Sequence, residues 1–460
     1  MRFYIISALL SCMSCGGGRC SGDSKPGAVV IVVDALRADY LGVYGDERPI
    51  SPNIDAFAKN ATVFERFYSA SSWTAPAFGT LFTGVSPEVH RAGKKPDKAS
   101  RSQKQVYGRQ LEPMRDDVRT IAETLDGVTS HAIINNSFLA KALGYHRGFG
   151  SYDIYHAKNN NVRPAAAVTD LAIDWLKGHD DEAFFLVVHY FDPHLEYNPP
   201  PKFRRRFSKP RVGRVGAKFN NIGGIKNGRF TPTDAEKQQI KALYSDEIAY
   251  VDQEVGRLLR YLDGTGKGDE AWVAFTADHG EELFDHGDFE HGHRFEDEVT
   301  RIPLIIRAPE RLRARYGRRR VPQSVRQVDL HPTILSWFGR KPEKRVEGKS
   351  VTPLMAQAGS NRHAFMQYVF RGRDAEAIFD GTHKYIEHLE GKDSLLYNLK
   401  RDPEERAPID DARQKKAMQA KLEKYKTTLR TVFKSGRDHR AVTLSPEVDE
   451  ALKNLGYIEE

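Results

Sequence analysis

Three short apolar runs, far apart in the chain, constrain the fold more than any other feature. Residues 28–33, 184–190 and 272–276 are rich in β-branched and aromatic side chains. Runs of this length without polar alternation are typical of strands buried on both faces of a parallel sheet. A stretch with helical spacing, residues 246–262, lies between the second and third runs. The sequence therefore predicts an α/β fold with a large, mostly parallel mixed sheet sandwiched by helices.

The pattern changes after about residue 355. Four short runs with strand character then follow one another closely, at residues 365–370, 376–379, 384–388 and 394–399. Their spacing predicts a small antiparallel sheet, and the charged stretch 412–433 that follows has helical character. We therefore predict three parts: a leader and tether in residues 1–26, a large domain in residues 27–355, and a small C-terminal α+β subdomain in residues 356–460.

The first residues have the order of an export signal. Met1 and Arg2 precede an apolar run that is too short to span a bilayer, and Ser11 and Cys12 follow it. Residues 9–12 resemble a bacterial lipoprotein cleavage box with Cys12 as the lipidated residue. The alternative is an ordinary signal peptide that is cut before Gly27. We expect an exported protein of the periplasm or cell envelope, attached to the membrane only through its N-terminal lipid.

All three cysteines, Cys12, Cys15 and Cys20, lie in this leader. Residues 21–460 contain no cysteine. A disulfide within this part of the chain is therefore excluded, and so is a cysteine as its nucleophile or metal ligand.

The basic residues are unevenly distributed. The net charge is +8, and residues 202–229 alone hold ten Lys and Arg residues with no acidic residue. This segment is a solvated surface loop or an electrostatic guide for an anionic substrate, such as a polyanionic glycan or a lipid headgroup. The sequence does not favour nucleic acid as a partner, because neither a recognition helix nor an interleaved aromatic platform accompanies the charge.

Acidic and histidine side chains follow the predicted strands. Asp34 follows the first run, His194 comes shortly after the second, and Asp278 and His279 follow the third. Ligands of parallel sheets bind outside the carboxyl ends of the strands, so these side chains can converge on one site. Carboxylate and imidazole together suit Zn²⁺ or Mn²⁺ better than Ca²⁺. The alternative for each residue is a structural cap or turn.

Thr74 is the candidate nucleophile. Residues 71–84 read as a turn that enters a helix, with Pro76 in the first turn. The free N–H groups of a helix start stabilise an alkoxide and an incoming anionic group. The alternative is that Thr74 is only an N-cap.

Several histidines are candidates for substrate contact. His291 and His293 belong to a stretch that is dense in histidine and acidic residues, and His189 and His194 lie around the end of the second run. His194 is a candidate general acid or oxyanion ligand. We predict His189, His291 and His293 as substrate-binding residues; the alternative is a set of structural or solvated imidazoles.

Taken together, these motifs resemble the sulfatase family within the alkaline phosphatase superfamily. The resemblance covers about residues 27–460. The matching stretches are 32–34, 41–45, 51–55, 74–76, 81–84, 192–194, 247–252, 276–280, 302–305, 396–404 and 455–457.

The chain departs from the family pattern at three positions. Thr74 replaces the cysteine that sulfatases oxidise to formylglycine, Phe78 replaces an arginine, and Ala35 replaces a second aspartate. The Asp278-His279 pair looks more like phosphonate hydrolases and phospholipid-headgroup transferases, and the latter also use a threonine nucleophile. His291 falls where relatives often place a substrate-binding lysine.

The resemblance implies an ester hydrolase with one divalent metal ion, Zn, Mn or Ca, and without formylglycine. Asp34, Asp278 and His279 would hold the metal, Thr74 would form a covalent intermediate, and His194 would protonate the leaving oxygen or bind a peripheral one. The substrate would be an anionic sulfate or phosphate ester. The alternatives are a phosphoryl or headgroup transferase, and a non-catalytic anion-binding protein on a degenerate sulfatase scaffold.

Overall fold

In the computed structural model of the protein, the described residues are 26–94, 110–156, 162–179, 182–317, 319–391, 393–433, 442–443 and 445–454. The predicted lipidation site Cys12 lies outside them, as does the matching stretch 455–457. Among the described residues, no helix combines the length and the apolar character needed to cross a membrane.

The main sheet has eight strands in the order β8-β2-β7-β6-β1-β5-β3-β4. Only β7 runs antiparallel to its two neighbours; all other pairs are parallel. The predicted α/β fold is confirmed. The strands are β1 Gly27–Val33, β2 Thr62–Tyr68, β3 Thr129–Ile134, β4 Ser151–Ile154, β5 Phe184–Tyr190, β6 Ala271–Ala277, β7 Arg301–Arg307 and β8 Arg320–Arg326.

The three central strands end at the same level. Every residue of β1, β5 and β6 is buried, as their uninterrupted apolar runs require. Val33 at the end of β1 pairs with Tyr190 of β5 and with Ala277 of β6. The residues that follow these strands, including Asp34 and Asp278, therefore enter one shared edge of the sheet.

Most of the helices lie between strands of this sheet in the chain, whereas the long helix of residues 412–432 packs on the small sheet described below. The helices are α1 Pro52–Ala58, α2 Thr74–Thr83, α3 Pro87–His90, α4 Ile121–Thr124, α5 Ala165–Lys177, α6 Ile222–Lys226, α7 Asp234–Gly264, α8 Lys267–Glu270, α9 Asp297–Thr300, α10 Glu310–Tyr316, α11 Leu330–Trp337, α12 Ala412–Val432 and α13 Pro446–Asn454. The helix predicted from residue 246 begins earlier, at Asp234. Thr233 and Glu236 form a capping box there, which satisfies the first N–H groups of a mostly polar turn.

A second sheet follows the main one in the chain. Its four strands are antiparallel and adjacent in sequence order: β9 Ala364–Gln367, β10 Ala375–Phe379, β11 His383–His388 and β12 Ser394–Asn398. The first strand ends at Gln367 rather than at residue 370, because Tyr368 has a φ of 61° and leaves the extended conformation. The boundary of a separate domain at residue 355 stays a prediction.

Candidate active site

Two aspartates and a histidine meet at the shared edge of the main sheet. Asp34 follows β1, Asp278 and His279 follow β6, and all three are fully buried. His279 Nε2 lies 3.4 Å from Asp34 Oδ1 and 3.4 Å from Asp278 Oδ2. The structure therefore brings the three predicted metal ligands together, although their role as ligands stays a prediction.

Thr74 is the first residue of α2, and its hydroxyl points to the same place. The N-cap of α2 is Trp73, and no side chain caps the helix. Thr74 Oγ1 lies 3.3 Å from His279 Nε2, and Asn136 Nδ2 donates to it over 3.2 Å. The hydroxyl is thus directed to polar groups of the site, and the alternative that Thr74 is only an N-cap finds no support in its contacts.

Asn136 is a site residue that the sequence analysis misses. It lies just after β3, and its Nδ2 donates to both Asp34 Oδ2, over 2.9 Å, and Thr74 Oγ1. Its Oδ1 accepts from the backbone N–H of Phe138, which holds the side chain in place. The signal for it is an amide shortly after a strand end, at the second residue beyond Ile134. The strand itself is hard to recognise because it begins with polar residues.

The aspartate oxygens show where a cation fits. Asp34 Oδ1 and Asp278 Oδ2 are buried and have no hydrogen-bond partner among the described residues, whereas Asp278 Oδ1 accepts the N–H groups of Ala35 and His279. Metal–ligand bonds of about 2.0–2.2 Å in a tetrahedral site correspond to ligand separations of about 3.3–3.6 Å. The three separations from His279 Nε2, to Asp34, Asp278 and Thr74, all lie in this range.

The pKa values of the two carboxyl groups reflect their mutual proximity. Burial and the neighbouring Asp34 carboxylate raise the pKa of Asp278 to about 6. Burial would also raise the pKa of Asp34, but His194, His189 and His279 lower it overall. Two facing carboxylates need either a shared proton or a cation between them, and a divalent ion would keep both ionised. The residues present therefore fit a metal.

A second imidazole, that of His189, approaches Asp34 from β5. Its Nε2 lies 3.4 Å from Asp34 Oδ2, and one ligand atom each of Asp34, His189 and Asp278 fall within 4.8 Å of one another. The sequence predicts His189 as a substrate-binding residue. The structure instead places it against a predicted metal ligand, where it competes with His279 for the role of imidazole ligand.

The hydrogen bonds of the two rings distinguish their roles. His279 Nδ1 faces the carbonyl oxygen of Gly280 at 2.8 Å, so Nδ1 carries the proton and Nε2 keeps a lone pair for a metal. His189 Nδ1 accepts the backbone N–H of Asn135 at 3.3 Å, so the proton of the neutral ring sits on Nε2 and points to Asp34. This arrangement favours His279 as the ligand, whereas His189 Nε2 lies 3.4 Å from Asp34 Oδ2 without a hydrogen-bond partner among the described residues.

The departures from the sulfatase pattern are accommodated by local packing. The ring of Phe78, at the position of the family arginine, packs edge-on against His189 with centroids 4.9 Å apart. Ala35, at the position of the second aspartate, has a φ of 54° and donates its backbone N–H to Asp278. The Ala35 carbonyl accepts the hydroxyl of Tyr244, which supports this strained conformation.

His194 and His291 lie next to His279. The ring centroids of His291 and His279 are 4.4 Å apart, and those of His291 and His194 are 4.9 Å apart. His194 Nδ1 faces the Leu195 carbonyl at 2.7 Å, and His291 Nδ1 lies 2.9 Å from Glu281 Oε1. Burial holds the pKa of His194 and of His291 below the usual range. Three neighbouring imidazoles thus line one side of the site.

His293 has different neighbours. Its Nε2 lies 3.1 Å from Glu282 Oε2 and 3.5 Å from Asp288 Oδ2. These carboxylates and burial act in opposite directions, and the carboxylates raise the pKa of His293 overall. The contacts tie His293 to its own loop rather than to Thr74, so its predicted role in substrate binding stays a prediction.

Two family profiles match the chain. The profile described as Sulfatase matches residues 26–340, which is more than half of the chain. The profile described as N-sulphoglucosamine sulphohydrolase, C-terminal, matches residues 284–432 and includes the small sheet.

Curated proteins and a solved structure are similar over most of the chain. The multifunctional alkaline phosphatase superfamily protein PehA of Trinickia caryophylli is 24% identical, with 83% of this chain and 90% of that protein covered. An arylsulfatase of Clostridium perfringens is also 24% identical, with 83% and 89% covered. The phosphonate monoester hydrolase of Agrobacterium radiobacter has the same fold, with a TM-score of 0.71 at 20% identity over 92% of this chain and 100% of that one.

Proposed function

The chain belongs to the sulfatase family of the alkaline phosphatase superfamily, a family of ester hydrolases, and on this premise we propose that it hydrolyses sulfuric or phosphoric esters through a covalent intermediate on Thr74. One observation carries the proposal. The Thr74 hydroxyl makes no capping bond and lies within hydrogen-bonding distance of His279 and Asn136, beside the paired carboxylates.

Asp34, Asp278 and His279 are the residues that would hold the metal. When bound, a divalent cation supplies Lewis acidity: it lowers the pKa of the Thr74 hydroxyl and draws charge from a substrate oxygen. The imidazole ligand favours Zn²⁺ or Mn²⁺ over Ca²⁺.

Asn136 and helix α2 prepare the nucleophile. The Asn136 amide donates to Thr74 Oγ1 and to Asp34, which fixes the oxygen against the carboxylates and stabilises negative charge on it. The N-terminal N–H groups of α2 act in the same direction. Thr74 Oγ1 then attacks sulfur or phosphorus, and the bond to the leaving oxygen breaks.

His194 is the proposed general acid. Its Nδ1 is bound to the Leu195 carbonyl, so Nε2 is the nitrogen that exchanges protons with substrate. The neutral ring has its proton on Nδ1, and burial lowers the pKa of His194, so the ring must first be protonated at Nε2; in this form it gives the Nε2 proton to the leaving oxygen in the first step. In the second step it accepts a proton from the water that attacks the covalent intermediate, and Thr74 is released. His291 contributes a hydrogen bond to the transferring group.

The nucleophile affects which esters the enzyme can process. A formylglycine hydrate has two hydroxyls, so its sulfated form collapses by expelling sulfate. Thr74 has only one hydroxyl, and its ester is broken only by attack on sulfur or phosphorus. This chemistry suits phosphoric esters as well as sulfuric esters. The match to an N-sulphoglucosamine sulphohydrolase profile supports a sulfated glycan as the natural substrate class.

The test is a screen of 4-nitrophenyl sulfate, 4-nitrophenyl phosphate and bis(4-nitrophenyl) phosphate with metal-loaded protein. We expect turnover of at least one ester, and acid quenching should trap the sulfuryl or phosphoryl group on the peptide that contains Thr74. Thr74→Ala should lower kcat by at least about a thousandfold, whereas loss of one buried hydroxyl should leave the fold intact.

Thr83→Ala is the matched control. It removes another buried threonine hydroxyl of α2, one that donates only to the carbonyl of Gly79, and it should keep wild-type kcat. Turnover by Thr74→Ala at the wild-type rate would refute the nucleophile. Metal-loaded wild-type protein that turns over none of the esters would favour the anion-binding alternative, and product esters formed with added glycerol would favour the transferase.

We also propose that the protein is exported and anchored through a lipid on Cys12. The support is the sequence of residues 1–12 alone. Wild-type protein expressed with its leader should partition into detergent, and Cys12→Ser should release it or block its processing. Fully soluble wild-type protein would reject the anchor.

A further inference from the structure

The turn after β9 joins the small sheet to the candidate active site. The backbone N–H groups of Phe370 and Arg371 both donate to the carbonyl of Gly292, over 2.6 and 2.8 Å, and Gly292 is the neighbour of His291. Trp73, the neighbour of Thr74, donates its Nε1–H to the carbonyl of Tyr368 over 2.8 Å. The C-terminal region therefore supplies part of the wall beside the nucleophile.

Two cations meet on one buried carboxylate in this wall. Lys226 Nζ lies 2.7 Å from Glu290 Oε2, and Arg371 Nη1 pairs with the same oxygen. Glu290 is buried and directly precedes His291, whereas Lys226 and Arg371 are each partly exposed. One carboxylate cannot neutralise two cations, so this cluster keeps positive charge next to the site.

Lys226 comes from the basic segment, residues 202–229. Other members of that segment serve the fold: Arg214 binds Glu236 at the start of α7, and Arg204 binds the Pro199 carbonyl. The segment is therefore not a uniform solvated loop. Lys226, at the end of α6, belongs to this segment, and its ammonium group lies in the wall of the site, against Glu290.

The guanidinium of Arg371 has an unused edge. Its Nε and Nη2 are buried and have no hydrogen-bond partner among the described residues. These two nitrogens lie on the same side of the planar group, and their parallel N–H bonds match the two oxygens of a carboxylate, sulfate or phosphate. Buried donors without acceptors are rare in proteins, and among the described residues Arg371 is the arginine in which both donors of one edge are in this state.

We propose that Arg371 and Lys226 form a second oxyanion subsite, which binds a carboxylate or a further sulfate or phosphate group on the same substrate molecule. The ester that reacts lies at Thr74, so the inference rests on the proposed function for the place of the reaction. The subsite selects substrates with at least two anionic groups, such as units of a polyanionic glycan. The alternative is that the two cations serve only to stabilise Glu290.

The experiment compares two plain esters, 4-nitrophenyl sulfate and 4-nitrophenyl phosphate, with the same esters that carry a carboxylate on the ring, at position 2 or at position 3. For each compound, the kcat/KM of the variant is divided by the kcat/KM of wild type, so that differences in leaving-group reactivity cancel. Arg371→Ala should lower kcat/KM at least tenfold more for a carboxylated ester than for the plain one. Lys226→Ala should give a smaller difference of the same sign, because it removes charge without the two-pronged contact.

Two further variants separate binding from structure. Arg371→Lys keeps a cation for Glu290, so it should keep the wild-type unfolding temperature. Because it loses the paired donors, it should retain only part of the preference for the carboxylated ester over the plain one. Arg373→Ala is the control: Arg373 is two residues away and pairs with Asp393 at the surface, so the ratio between the two esters should stay at the wild-type value. Equal loss on plain and carboxylated esters in Arg371→Ala and Arg371→Lys would overturn the subsite.

A binding measurement makes the outcome independent of turnover. In the Thr74→Ala background, titration calorimetry with the carboxylated sulfate should show at least tenfold weaker binding when Arg371 is also replaced by Ala. If wild-type protein hydrolyses no ester but this difference is found, the proposed function fails and the subsite stands. If esters are hydrolysed but the difference is absent, the subsite fails and the proposed function stands.

Discussion

Among the groups of buried charges in the described residues, two differ in an informative way: one lies at the edge of the main sheet, and the other lies where the main sheet region meets the small sheet. In the second group, the fully buried Lys384 Nζ lies 2.6 Å from Asp297 Oδ1 and 3.0 Å from Glu405 Oε1. Burial would lower the pKa of Lys384, but Asp297 and Glu405 raise it overall. This group contains its own cation.

The first group is built differently. Asp34 and Asp278 face each other, and each keeps one buried oxygen with no hydrogen-bond partner among the described residues. Charges that the protein pairs internally stabilise one arrangement of the chain. Charges that it leaves unpaired create a demand for an external ion, and such a demand is typical of a functional site. The two clusters therefore differ in that one contains a lysine beside its carboxylates, whereas the other has two carboxylates that an external cation would keep ionised.

Removal of the metal is the strongest way to test this difference. Exhaustive chelation should lower ester turnover by at least about a thousandfold, because the nucleophile loses its activation. It should also lower the unfolding temperature, since a ligand at 1,000 times its Kd stabilises by about 4 kcal/mol. Calorimetry and metal analysis before and after re-addition of Zn²⁺ or Mn²⁺ are the measurements. Full activity in protein shown to be metal-free would remove the basis of the comparison.

Replacement of Lys384 should affect folding and leave chemistry intact. Lys384→Met leaves the buried Glu405 and the partly buried Asp297 without their cation, which should destabilise the protein by about 3–5 kcal/mol. Urea unfolding measures this loss, and Arg373→Ala, at an exposed ion pair, should change stability by less than about 1 kcal/mol. Metal content per folded molecule should equal that of wild type. A loss of metal in folded Lys384→Met would show that the two groups are coupled.

The two imidazoles beside Asp34 should respond differently to the same substitution. His279→Gln removes the nitrogen with a free lone pair and should abolish stoichiometric metal binding. His189→Gln removes an imidazole that only neighbours the Asp34 ligand, so metal affinity should fall by about 10–100-fold. Competition against a chromophoric chelator measures both. An equal loss of metal affinity in the two variants would show that His189 is a ligand. It would also contradict the proton positions inferred from the Gly280 carbonyl and the Asn135 N–H.

Asn136 should give the smallest of these effects. Asn136→Ala removes one donor to the Thr74 oxygen, which should lower kcat by roughly tenfold or somewhat more, with KM little changed. Asn135→Ala keeps the backbone N–H that His189 needs and serves as the neighbouring control. Steady-state kinetics on the best ester of the screen are sufficient. A rise in KM alone would mean that Asn136 binds substrate rather than supporting the nucleophile.

Much of the architecture follows from short-range patterns. The buried strands β1, β5 and β6 can be recognised in the sequence because nearly all their residues are apolar. The residues that follow them can be predicted as site candidates because parallel strands end at one edge of the sheet. Strand β3 begins with polar residues, and its following Asn136 therefore goes unnoticed. The start of α7 is missed for two reasons: residues 234–239 are polar apart from Ala235, and the apolar positions Ile240, Leu243 and Tyr244, which extend the helical periodicity, are overlooked.

By itself, the sequence determined that the chain forms an α/β protein of the sulfatase family with no cysteine after residue 20, and it predicted Thr74 as the nucleophile. Only the tertiary structure decided which ring nitrogen of His279 and of His189 carries the proton, and that Arg371 of the C-terminal region lies beside His291. The physical reason is that a proton position depends on the groups around a ring, here Gly280 O and Asn135 N–H. Such groups come together only when distant segments pack.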